Sequence, residues 1–569
     1  MIKTMEEHYK RILEDSDKRL VYFIQEQILD KDSPYYGAFI DRRGVSEAKV
    51  TLYRLETIIA CYICSDSQYY HNANVYERIM AGIEYVKSVQ HPNGMFDYVS
   101  CNFNSAPDTA FCLVAIVPPY QCLEAMNDRT KQEDNIYHEL GDIIYHGAKG
   151  IMEGGFHTPN HRWAISGMLK LCGKLFNDNE MYKSADRYLA EGIDCNEDGE
   201  YSEKSAGNYN SVNNDAMIML TEATDDESYE DNVCRNLTMM LHYWEPNGSI
   251  FTANSTRFDK DRIVYPLSYY TEYMLMGVKR HNEVFLSMCN TIMDIVRDRD
   301  LEAPDVLIYF LKYPNWRSFE YEKSYDNPDY RVFYKDSNIA RVRNKYYTYT
   351  VMGGKSNFLY FHVGTMQLAM KVAGSFCEHR AFISEKMEEE NGTFHLHQTM
   401  KGWYYLPFTD DKRPSTSNWW DMDNASRDKL SGPDLDIDVY ITDAKTDDGI
   451  DVRVVTSSDA VKGGPWRVEL AFIGGDFLEN DHIATNLDGS ETITIKDGMT
   501  TVSNDRDAII VGPGFGAHHY MEGKEDSELK TAGASTIYFT DYTTFDRTIQ
   551  IRNGRSRFDS VGSELNNNK

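Results

Sequence analysis

One feature constrains this chain more than any other: the hydrophobic period changes near residue 316. In Glu6 to Leu29, the residues Tyr9, Ile12, Leu13, Leu20, Phe23, Ile24 and Ile28 recur at helical spacing. The same spacing predicts helices near 46–64, 72–90, 107–124, 134–152, 161–176, 178–191, 209–222, 228–244, 266–279, 281–298 and 303–312. Beyond about residue 317 the period falls to two. Tyr346 to Met352, Phe358 to Val363, Gly392 to His397, Asp436 to Thr442, Ile450 to Thr456 and Arg467 to Phe472 read as strands between Gly, Asp and Asn turns. A helical array followed by an all-β array predicts separate layers with no parallel βαβ sheet.

The linkers between helices share a chemistry. Asn, Gly, Pro and aromatic residues cluster at His91-Pro92-Asn93-Gly94, Asn102-Phe103-Asn104-Ser105, Gly154-Gly155-Phe156-His157, Asp198-Gly199-Glu200-Tyr201 and Pro246-Asn247-Gly248. They return about once per helical hairpin without a strict sequence repeat, which argues against a tetratricopeptide-like array. Hairpins with polar, aromatic loops at one end suggest an α/α toroid, a complete or incomplete six-hairpin barrel. The expected organisation is a toroid over 1–315 and an antiparallel β-sandwich over 316–569, with the tail Asn566–Lys569 frayed.

Composition narrows the partners. Among 569 residues, 59 Lys and Arg face 89 Asp and Glu, a formal charge of −30. Nucleic acid and anionic membrane surfaces both require a broad basic footprint and are excluded as main partners. A small acidic substrate needs only a local cluster of cations and amides. No apolar run has the roughly 18 residues of a membrane span. The start of the chain lacks a signal-peptide pattern, and the ten Cys read as free thiols of a reducing compartment, so a cytoplasmic location is expected. A homo-oligomer is left open.

Two loops concentrate chemistry. In Phe156-His157-Thr158-Pro159-Asn160-His161-Arg162-Trp163, Asn160 reads as the N-cap of an apolar helix, with His161 and Arg162 in its first turn. Positive charge there opposes the helix dipole and makes sense if an anion binds. The second loop, Asp198 to Asn214, gathers Tyr, Asn and acidic groups ahead of a helix beginning near Tyr209.

Together these loops resemble the heparinase II/III-like and alginate-lyase-like polysaccharide lyases. The shared elements are an Asn-His pair opening an inner helix and, some 40–60 residues on, an Asp-Gly-x-Tyr-x-Glu-x-Ser stretch leading to a Tyr. The resemblance implies an α/α toroid followed by an antiparallel β-sandwich, an oligosaccharide substrate and β-elimination at a uronic acid. It carries over Asn160, His161, Tyr209 and His362 as catalytic residues. Asn160 would neutralise the uronate carboxylate, assisted by His161 or Arg162. Tyr209 would act as acid or base, with His161 or His362 as partner base. The family's Gly-His-x-His-x-Asp-like segment corresponds here to Tyr360-Phe361-His362-Val363-Gly364-Thr365, which keeps one His and lacks evident zinc ligands.

Further candidates for substrate binding are Arg162, His91, Asn104, Asp108, Asn210, Arg257, Tyr265 and Tyr269. The alternative, a β-glucuronidase-like glycoside hydrolase on the same scaffold, would need paired carboxylates, for which Asp108, Glu203 and Asp215 are available. A non-catalytic glycan-binding protein is the third reading. Metal signals are sparse: Cys61-x-x-Cys64 has no second pair, and His395-x-His397 and His518-His519 have strand spacing but no four-ligand set. The expectation is therefore no cofactor and no assigned metal ligands, with a structural divalent metal left open.

Overall fold

The computed structural model describes residues 3–41, 43–321, 325, 328–520 and 529–555; the tail Asn566–Lys569 lies outside the described residues. The chain divides into two compact units, Met1–Trp244 with Gly248–Asn327, and Glu245–Asn247 with Pro328–Lys569.

Among the described residues the first unit holds twelve α-helices: α1 (Met5–Glu26), α2 (Ala48–Ile63), α3 (Ala73–Val89), α4 (Ala106–Glu124), α5 (Lys131–Ile151), α6 (Pro159–Leu175), α7 (Asn179–Leu189), α8 (Tyr209–Thr224), α9 (Ser228–Met240), α10 (Tyr270–Lys279), α11 (Glu283–Asp298) and α12 (Leu307–Lys312). Helices α2, α4, α6, α8 and α10 pack in succession, and each is backed by the helix that follows it in sequence. This is an α/α toroid. The inner helix α4 is apolar around nearly its whole circumference, as a helix buried on all sides must be. The outer helices α5, α7 and α11 carry one apolar stripe. Side chains fix several helix starts: Asn72 accepts the amides of Asn74 and Val75, and Thr130 with Glu133 forms a capping box. Among the described residues no helix is long and apolar enough to cross a membrane.

The second unit is an antiparallel β-sandwich of two nine-stranded sheets. One sheet runs in the order Thr492–Thr494, Ser535–Tyr542, Pro465–Ile473, Met366–Phe376, Leu359–Val363, Tyr347–Met352, Ile339–Asn344, Tyr330–Tyr334, with His379–Ala381 beside Met366–Phe376. Its pair Thr492–Thr494 and Ser535–Tyr542 is parallel. The other begins Lys386–Glu390, Thr393–Met400, Leu435–Asp443, Gly449–Ser457 and continues through Asp546–Arg555. Inward residues such as Phe361, Met370, Leu396, Ile437, Val452 and Ile549 form one apolar core between the sheets.

Candidate active site

The site begins at the start of α6. Pro159 occupies the first helical turn, where its fixed φ suits the helix and its missing N–H leaves nothing unpaired. The N-cap is therefore Thr158, and Asn160 lies inside the helix, which corrects the expectation that Asn160 caps it. Fully buried, Asn160 turns its amide to Glu203. Nδ2 lies 2.7 and 2.9 Å from the two carboxylate oxygens, and the Asn160 backbone N–H donates to Oε2 at 3.2 Å. Nδ2 also donates to Thr158 Oγ1 at 3.2 Å. A helix N-terminus attracts an anion, and here the protein supplies its own.

The loop carrying Glu203 is anchored from below. Tyr201, fully buried, donates to Asn214 Oδ1 at 3.1 Å; Asn214 donates to Asn236, and Asn236 to the Gly199 carbonyl at 2.8 Å. Gly199 has φ +94°, and a Cβ there would meet the Arg235 carbonyl at 2.5 Å, so this turn admits only glycine. A second clamp is Asp259, which accepts from Ser205 Oγ at 2.8 Å, Gly207 N at 2.9 Å and Ser255 Oγ at 2.6 Å. It ties the segment around 255–259 to the loop before α8.

That clamp sets Arg257 beside both key groups. Its Nε is 3.1 Å from Glu203 Oε1, and its guanidinium lies 5.2 Å from the centre of the Tyr209 ring. Asn160, Glu203, Arg257 and Tyr209 form one continuous polar chain. Burial pushes the Glu203 carboxyl above its usual range, although Asn160 and Arg257 pull the other way. Burial also raises the Tyr209 phenol despite the pull of Arg257, so Tyr209 keeps its proton at neutral pH.

His161 borders the same region. Its ring meets His157 edge-on at 4.6 Å and Phe111 at 5.7 Å, and Lys49 lies 4.8 Å over Phe111. Burial, reinforced by His157, Arg257 and Lys49, pushes the imidazole down to about 4, while Asp108 pulls against them. His161 is thus neutral at ordinary pH. Its Nδ1 is buried without a hydrogen-bond partner.

Other candidates have structural partners. Arg162 pairs with Glu191 and lies 4.0 Å over Trp163. His91 sits 2.8 Å from Asp97, whose Oδ1 also accepts the Asn104 backbone N–H at 2.5 Å. Asp108 accepts from Ser105 Oγ at 2.7 Å and Asn102 Nδ2 at 3.1 Å. Asn210 and Tyr269 are buried; Tyr269 donates to the Ala206 carbonyl at 2.6 Å, so both support the loop from within. Tyr265 carries Arg299 over its ring at 5.7 Å. Asp215 borders an internal cavity lined also by Val117, Met168, Tyr309 and Lys312, and burial raises its carboxyl to about 7.

His362 belongs to the second unit. Three neighbouring strands present Arg341, Thr348 and His362 to Glu245, which that unit takes in with Pro246 and Asn247. Glu245 lies 2.7 Å from Arg341 Nη1 and 2.9 Å from His362 Nδ1, and Thr348 Oγ1 donates to it at 2.7 Å. Burial alone would raise the Glu245 carboxyl, but Arg341 and His362 hold it well below the usual carboxylate range. Of the sparse metal signals, Cys61 and Cys64 are buried free thiols, and His518 Nε2 contacts the carbonyls of Trp466 and Asp541.

Sequence reasoning missed Lys49, His157, Glu245 and Arg341. Lys49 and Arg341 carry no local signal. Glu245 precedes a Pro-Asn-Gly turn, which marks the turn but not the partner of its carboxylate. Glu203 stood in the recognised stretch, yet only as a hydrolase carboxylate.

No protein-family model matches the chain, and no curated protein matches it. Solved structures share its architecture. A Paenibacillus xanthan lyase is 11% identical with a TM-score of 0.54, aligned over 97% of this chain. The chain spans 58% of that lyase's length. The Streptomyces coelicolor A3 chondroitin AC lyase, solved with chondroitin sulphate, is 10% identical with a TM-score of 0.52, over 97% of this chain and 80% of the lyase. Heparinase III is 10% identical with a TM-score of 0.52, over 96% and 86%. At such identities the likeness is one of fold: a helical toroid followed by antiparallel sheets, the architecture of these polysaccharide lyases.

Proposed function

We propose that this protein is a lyase that cleaves uronate-containing oligosaccharides by β-elimination. The observation that carries the reading is the Asn160–Glu203–Arg257–Tyr209 chain beside a neutral His161. The reaction removes the proton from C5 of the uronate, forms a C4=C5 double bond and breaks the bond from C4 to the glycosidic oxygen. Its barrier is the poor acidity of C5, which falls when the adjacent carboxylate is neutralised. Asn160 spends its amide hydrogens on Glu203 and Thr158, so the neutralising role passes to Arg257, held in place by Glu203. Neutral His161 takes the C5 proton, and Tyr209, still a phenol, gives its proton to the leaving oxygen. Lys49 and Arg257 supply local positive charge within a chain of net charge −30, a balance that suits short anionic substrates better than long polyanions.

The hydrolase reading has less support. Glu203 and Asp108 already have hydrogen-bonding partners, and Asp215 borders a cavity whose lining includes neither of them. The test is incubation with a panel of uronate oligosaccharides, including fragments of xanthan and chondroitin sulphate. A lyase generates a conjugated unsaturated uronate that absorbs in the ultraviolet. Cleavage without new absorbance would make the protein a hydrolase, and no cleavage of any member would remove the proposal.

A further inference from the structure

The second sheet carries an arrangement unrelated to this chemistry. On Thr393–Met400 and Leu435–Asp443, the side chains of Phe394, Leu396, Ile437 and Val439 enter the sandwich core. Alternation therefore puts His395, His397, Asp438 and Tyr440 together on the outer face. The register sets His397 opposite Asp438 and His395 opposite Tyr440. His395 stacks on Tyr440 with ring centres 4.5 Å apart and planes 4° from parallel, which fixes the ring's orientation. His395 Nε2 and His397 Nδ1 each lie 2.8 Å from the same oxygen, Asp438 Oδ1. All three atoms fall within 4.8 Å of one another.

The surroundings continue on the same face: His397 Nε2 lies 3.0 Å from Thr399 Oγ1, and Thr399 Oγ1 donates to Asp436 Oδ1 at 2.6 Å.

The geometry points to a divalent-metal site of the zinc class, formed by His395 Nε2, His397 Nδ1 and Asp438 Oδ1 with water completing the shell. Two imidazoles and a carboxylate suit such an ion. With bonds of about 2.0–2.2 Å, tetrahedral ligand atoms stand roughly 3.3–3.5 Å apart, so each nitrogen need retreat from Asp438 by only about half an ångström. The outer shell is already built: the other ring nitrogen of His397 faces Thr399 Oγ1, which donates to Asp436. Such a relay ordinarily fixes the tautomer of a metal-bound imidazole. The residues lie on a different sheet from His362 and owe nothing to the proposed elimination chemistry.

The test uses the full chain, stripped with chelator and titrated with Zn²⁺ by calorimetry, with Co²⁺ absorption as a second probe. Ten free cysteines can also bind zinc, so the readout is the difference between proteins. Wild type should take up one ion more than His397→Ala and one more than Asp438→Asn. Its Co²⁺ spectrum should gain a nitrogen- and oxygen-ligated band that both variants lack. Thr399→Val should weaken that ion's binding about tenfold. The positions are on the outer face, so circular dichroism in chelator should be the same for all four proteins. Equal zinc uptake by wild type and both variants would overturn the proposal. So would nitrogen NMR showing protons on both ring nitrogens of His397 at neutral pH in the presence of excess Zn²⁺.

Discussion

Asn160 and Glu203 lie 43 residues apart in sequence and 2.7 Å apart in space, amide nitrogen to carboxylate oxygen. In the proposed reading Asn160 is a positioning residue: its amide meets Glu203, and Glu203 pairs with Arg257, whose guanidinium lies next to Tyr209. Each link can be cut separately.

Tyr209→Phe removes the proposed proton donor and keeps the ring under Arg257. It should lower kcat by about 10²–10⁴-fold with little change in KM. Steady-state kinetics on whichever oligosaccharide is cleaved measures this, and an unchanged kcat would exclude Tyr209 as the acid.

Arg257→Lys keeps a charge but loses the planar fork that spans Glu203 and Tyr209. It should cost about 10²–10³-fold in kcat, a loss expected when one oriented stabilising group is removed from an active site. Wild-type rates in this variant would mean that Arg257 does not meet the carboxylate.

His161 gives a pH signature. Its folded value of about 4 lies below the ordinary 6.5, so between these limits the unfolded chain binds more protons than the folded one. Stability should rise with pH across that window, and His161→Gln should flatten the rise. With His161 as the base of the proposed elimination, the acid limb of kcat/KM should fall near pH 4, because the imidazole stays neutral down to that point. A limb near 6.5 would assign the base elsewhere.

Asp215 predicts the opposite slope. Its folded value of about 7 exceeds the unfolded value near 3.9, so the folded chain holds the extra proton from about pH 4 to 7. Stability from this group is lost as pH rises through 7. Asp215→Asn should therefore stabilise the protein at pH 8 and leave it unchanged near pH 4, as read from denaturant midpoints.

Glu245→Ala removes the carboxylate that lies 2.7 Å from Arg341, a guanidinium with no exposed surface. The expected loss is about 3–5 kcal/mol in denaturant unfolding. Pairing it with Arg341→Met should recover most of that loss.

The amino-acid pattern alone determined the two-part architecture, because helical and strand periods are local properties written into each stretch of side chains. Helix α8 begins at Tyr209 as read, and the strand Leu359–Val363 falls within the expected stretch. Local sequence also marked both loops of the candidate site, since Asn, Gly and Tyr cluster where backbone turns must be made. It misplaced the cap of α6, where Pro159 claimed the first turn and moved Asn160 inward. What only tertiary structure decided was partnership. Asn160 with Glu203, Glu203 with Arg257, and Glu245 with Arg341 are joined across long stretches of chain, and so are the two His of Thr393–Met400 with Asp438. Burial then set which of these groups keep their protons. A charge's partner and its distance from water depend on the packing of the whole unit, and no local window contains either.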